Sequence, residues 1–225
     1  MANEGIKRMR WSGGWKVLVV SVAALMAVTA VASMAFAGGN KLSTLAFHDA
    51  MRKLWEDHVT WTRLAIVDVA AGAPDTGPTV DRLLQNQVDI GNAVKPFYGD
   101  AAGNQVTALL TTHIALAANI LVDAKAGDTT GVNENVTLWY ANANDIAAFL
   151  NSANPKNWPL DMMQSMMKTH LDLTLKEGVA QLTGDYATSI STYEQVHVEI
   201  LQMADMLSAG IIAQFPSMFN GSPSM

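Results

Sequence analysis

The sequence predicts an all-α protein, a six-helix bundle of three antiparallel αα-hairpins arising by internal triplication with a period of about 56 residues. Three observations predict it. Apolar residues recur at spacings of three and four through most of the chain, as on one face of a helix, and no stretch reads as a strand. Three histidines, His58, His113 and His170, each stand inside such a stripe, 55 and 57 residues apart. Fourteen residues after each comes a glycine, Gly72, Gly127 and Gly184, which can end a helix in the left-handed conformation without strain. His48 and His197 have Thr62 and Ile211 at that offset, so the rule separates three histidines from five.

The chain opens with Lys7, Arg8, Arg10 and Lys16, followed by an uncharged run from Val17 to Ala37 ending in Ala35-Phe36-Ala37. A basic region, an apolar run and a small-x-small site make residues 1–37 a signal peptide. The run is 21 residues long, close to the ~20 that cross a bilayer, so an uncleaved N-terminal anchor is the rival reading. Both place residues 38–225 outside the cytoplasm, in the periplasm, secreted, or tethered by the N-terminus. Beyond Ala37 the chain has ten basic and nineteen acidic residues, a formal charge of −9. That charge, with no basic stripe, argues against a nucleic-acid partner and against peripheral attachment to anionic lipid. With no cysteine, the fold must be held by packing, and thiolate metal sites are excluded.

Helix one follows Phe47, Met51, Leu54, His58, Trp61, Ala65 and Val69, and stops at the Gly72–Pro78 loop. Helix two follows Val80, Leu83, Leu84, Gln87, Ile90 and Val94 and ends before Pro96, with a turn over Lys95–Gly99 and Asp100 as N-cap. Helix three carries Val106, Leu110, His113, Ala117 and Ile120 to Gly127. Helix four runs through Val136, Trp139, Ala143 and Ile146 until Asn151–Pro159 breaks it. Helix five opens with that proline and carries Met163, Met167, His170, Thr174 and Gly178. Helix six extends from about Thr188 to Ala213, closed by Gln214-Phe215-Pro216, with a frayed tail beyond.

The second helix of each hairpin returns past the histidine of the first. With breaks of roughly four to seven residues, Asp89, Asp145 and Asp205 come back to the height of His58, His113 and His170. The expected result is a His/Asp layer inside the bundle. Neutral imidazoles with carboxylates as further ligands or as acceptors for the other ring N–H suit a divalent transition metal. A small polar ligand is a second occupant for the same layer. The competing reading is structural, with each pair a buried hydrogen bond that fixes helix register. A third reading, a metal-dependent hydrolase, needs three histidines with an open coordination position. On a helical wheel Asp89 falls nearly opposite the apolar face of its helix and Asp145 at the flank of its own, which suits solvated positions. The histidines are the firmer half of the layer.

Other patterns read as structure. Glu194-x-x-His197 is half of a di-iron motif that lacks its second half. Met162, Met163, Met166, Met167, Met203 and Met206 carry thioethers that suit Cu(I) but fill cores equally well. Arg63, in Trp61-Thr62-Arg63, is placed to pair with Asp89 or to stack on an indole. There is no P-loop, dinucleotide glycine pattern, His-Glu-x-x-His or Gly-x-Ser-x-Gly.

Through Leu54-Trp55-Glu56-Asp57-His58-Val59-Thr60-Trp61-Thr62-Arg63, Asn86-Gln87-Val88-Asp89-Ile90-Gly91 and Ala141-Asn142-Ala143-Asn144-Asp145-Ile146-Ala147, the chain resembles a family of small all-helical bacterial proteins. The likeness runs from about Lys53 to Phe215, through Ser152-Ala153-Asn154-Pro155 and Gln214-Phe215-Pro216. Members of that family sometimes carry the labels glycosyltransferase or acetylglutamate kinase. This chain has no Asp-x-Asp metal motif, nucleotide-binding glycine loop or α/β alternation to match them. The resemblance implies the helical fold and a bacterial origin, and no mechanism.

Overall fold

The computed structural model describes residues 41–220, and the leader expected over residues 1–37 lies outside the described residues. The fold is all-α. Among the described residues five helices follow one another: α1 (Thr44–Ala71), α2 (Thr76–Ala126), α3 (Thr129–Ala153), α4 (Leu160–Leu182) and α5 (Tyr186–Gln214).

The expected second and third helices are joined in α2, and the turn expected over Lys95–Gly99 is helical up to its last residue. Within α2, Gly99 alone has non-helical angles (φ 83°, ψ 168°). The two arms of α2 fold back against each other at this point. Gly91 and Gly103 then meet so closely that a Cβ on either would lie 2.6 Å from the other's carbonyl oxygen. Pro96, which removes one backbone hydrogen bond, is tolerated because the helix is about to break.

Of the other four reversals, the one between α3 and α4 uses Asn154–Pro159 and three use the glycines singled out by spacing. Gly72, Gly127 and Gly184 have φ of 69°, 73° and 79°. Aspartate follows the last two and caps the next helix: Asp128 accepts from the Gly131 amide and Asp185 from the Thr188 amide. The Gly-Asp pairs in the sequence are therefore one helix stop followed directly by one helix start.

The helices form a closed ring in which α1 packs on α2 and α5, α3 on α2 and α4, and α4 on α5. Their shared core includes Met51, Val59, Ile90, Leu110, Ile146, Leu171, Ile200 and Leu207. Met163, Met167 and Met203 are buried in it and serve as filling, with Met166 and Met206 packed against it, whereas Met162 is exposed. Of the tail expected to fray, residues 216–220 are structured and 221–225 lie outside the described residues. After a short 3₁₀ turn (Pro216–Met218), β2 (Phe219–Asn220) pairs in parallel with β1 (Leu42–Ser43). Phe219 is buried there, 5.2 Å from Phe47 and 5.6 Å from Phe97 between ring centroids.

Candidate functional site

His58 on α1, His113 on the second arm of α2 and His170 on α4 are 3%, 3% and 5% exposed, so each is inside the bundle. They are neighbours. The His170 ring centroid lies 6.0 Å from that of His58 and 6.4 Å from that of His113. Trp55 packs edge-on to His58 at 5.6 Å and Trp139 lies 5.1 Å from His113. The histidine half of the expected layer is present.

The carboxylate half is not. Asp145 is exposed. Asp89 accepts from Gln85 and lies 3.8 Å from Arg82. Asp205 sits at the bundle's edge, held by Arg52 at 2.6 Å and His48 at 2.9 Å. Arg63 likewise departs from expectation. Its guanidinium reaches Glu177, Ser189 and Gln181 and lies 5.8 Å from the Tyr193 ring, while Arg82 takes the Trp61 indole at 5.4 Å. His197 pairs with Glu56 at the surface.

The actual partners are Gln87, Asn142 and Glu199. Nδ1 of His58 lies 3.3 Å from Gln87 Nε2, Nδ1 of His113 lies 3.0 Å from Asn142 Oδ1, and Nδ1 of His170 lies 2.9 Å from Glu199 Oε2. Each partner stands 29 residues after its histidine. The sequence carried a signal for this, since one constant offset from the three histidines lands on a polar residue every time. Backbone bonds repeat too. Asn86 donates to Leu54 O at 3.0 Å and Asn142 to Leu109 O at 3.2 Å, each carbonyl lying four residues before a histidine. In Asn-x-x-Asp-Ile it is the asparagine that faces inward.

These partners assign the ring protons. Asn142 Oδ1 accepts, so His113 donates from Nδ1 and turns an Nε2 lone pair to the layer, and His170 donates from Nδ1 to Glu199 Oε2. Gln87 is oriented the other way because its Nε2 also donates to Leu83 O at 2.7 Å. Nδ1 of His58 therefore accepts, and its proton sits on Nε2. His58 and His113 therefore present one donor and one acceptor, a hydrogen-bonding complement and not matched metal ligands. Among the described residues no group of three or more His, Cys, Asp or Glu side chains is arranged to hold a metal ion. Gln87 Oε1 and Glu199 Oε1 are buried with no protein partner among the described residues.

Burial sets the charge of the layer. Removal from water, with His170 close by, lowers His58 from 6.5 to about 3, and His113 falls equally far for the same two reasons. Both are neutral at any ordinary pH. Toward the glycine turns a second polar group follows, in which Arg63 reaches across to Glu177, itself 1% exposed. Desolvation raises the Glu177 carboxyl, and the hydrogen bond and charge of Arg63 oppose that shift.

No protein-family model, curated protein or solved structure matches the chain.

Proposed function

We propose that this chain is an exported structural or interaction protein, a bundle of three hairpins descended from one triplicated unit, in which the imidazole layer fixes the register of the helices. The observation that carries this reading is the constant 29-residue bond, made within each hairpin between a buried histidine and a polar side chain on the returning helix. A bond of that kind penalises any slip of one helix along the other, because a slip leaves two buried polar groups unpaired. Export rests on the basic and apolar leader within residues 1–37. The constant offset and the glycine-ended helices support triplication, with the Gly99 break in α2 as the boundary between the first and second hairpins.

A second reading is binding of a divalent transition metal or small polar ligand at the same layer. It is favoured by the nearness of three buried imidazoles and by the neutrality of His58 and His113.

Elemental analysis of the protein purified from its own compartment, with and without His113→Ala, separates the two. The register reading expects no stoichiometric metal and a less stable variant. One equivalent of metal in the native protein, lost in the variant, would overturn it in favour of the second.

A further inference from the structure

One helical turn beyond each histidine, four residues and ~6 Å along the axis, stand Thr62, Ala117 and Thr174. All three line a cavity of about 40 Å³ between the second arm of α2 and α4. Its inner wall is Trp139, the same indole that packs on His113, and its outer mouth is formed by Leu121, Leu175 and Val179. The gap has a local cause. Eight residues after the first two histidines come Ile66 and Leu121, but eight after His170 comes Gly178, which brings no side chain. A Cβ there would touch only Leu121 Cδ2, at 3.0 Å.

The lining is apolar in effect. Both threonine hydroxyls are already spent on backbone, Thr62 on His58 O at 2.7 Å and Thr174 on His170 O at 2.8 Å. A buried water needs two to four polar partners, and the lining residues leave it one free donor, Trp139 Nε1, which has no partner among the described residues. Its volume exceeds the ~10–15 Å³ that one water requires and is far below the ~150 Å³ of an apolar cavity that takes benzene. We infer that this cavity is a binding site for a small uncharged apolar molecule, of the size of xenon or a diatomic gas, held against the floor of the imidazole layer. The inference holds under either reading of the layer, because no histidine nitrogen contributes to it.

The test is a xenon titration of the methyl-labelled full chain, followed by NMR. Saturable shifts confined to the methyls of Ile66, Ile120, Leu121 and Leu175 are expected, with their loss in Ala117→Leu, which fills the space from the opposite wall. Gly178→Ala, which adds only one methyl, should reduce them and serves if the larger substitution fails to fold. Weak, non-saturating shifts spread over exposed methyls such as Leu138 and Val198 would overturn the inference. So would an undiminished response in a folded, filled variant.

Discussion

His113 Nδ1 donates to Asn142 Oδ1 across 3.0 Å, and the same asparagine donates through Nδ2 to Leu109 O at 3.2 Å. One side chain thereby closes a bridge between two helices and satisfies a backbone carbonyl as well. Asn142→Leu keeps the volume and removes both bonds. A loss of about 2–4 kcal/mol in denaturant unfolding is expected, from leaving a buried donor and acceptor unpaired. The double variant His113→Leu/Asn142→Leu should lose less than the sum of the single changes, since no half of the pair is then stranded. Strict additivity would show that the two side chains do not act together.

Stability should fall as the solution is acidified. His58 and His113 titrate near 3 when folded and near 6.5 when exposed, so between those values the unfolded chain binds more protons than the folded one. Their contribution is complete above 6.5 and is lost as pH falls toward 3, at about 1.4 kcal/mol per pH unit for each histidine. Urea titrations from pH 7 to 4.5 measure the slope. Replacing both residues by glutamine, which does not titrate, should flatten it.

The proton positions can be read by imidazole ¹⁵N NMR. His58 should carry its proton on Nε2 and His113 on Nδ1. Gln87→Glu exchanges the donor facing His58 for an acceptor, so it should move the His58 proton to Nδ1 and turn a further lone pair to the layer beside that of His113. Raised zinc affinity in this variant over the native chain is the expected consequence. A native His58 already protonated on Nδ1 would contradict the assignment drawn from Gln87 and Leu83.

Arg63 and Glu177 form a pair with side chains 18% and 2% exposed. Arg63→Met strands a buried carboxylate and should cost about 3–5 kcal/mol, whereas Arg63→Met/Glu177→Leu should recover most of that loss. Thermal and denaturant unfolding of the two variants measure it. Equal instability of both would show that packing around the pair, rather than its charge, dominates.

The histidines were legible because burial of a lone polar residue in an apolar stripe is a property of one helix. Their partners were not. Asp89, Asp145 and Asp205 lie 31, 32 and 35 residues after the histidines, whereas the true offset is 29 in every hairpin. Two residues on a helix amount to a rotation of about 200°, which is why Gln87 faces inward while Asp89 reaches Arg82. The tighter reversals account for the difference in length. The breaks at Gly72–Asp75, Gly127–Asp128 and Thr183–Asp185 are four, two and three residues, at or below the short end of what the spacing argument assumed.

What this sequence determines by itself is local: helical periodicity, the left-handed glycines that stop the helices, and three imidazoles at one depth, because each depends on a few neighbouring residues. Only the tertiary structure decided which side chain meets each imidazole, that Gly99 folds α2 back on itself, and that Arg63 crosses to Glu177. Those outcomes turn on the angle and register at which whole helices pack, and a change of one or two residues in a turn alters every contact along the pair.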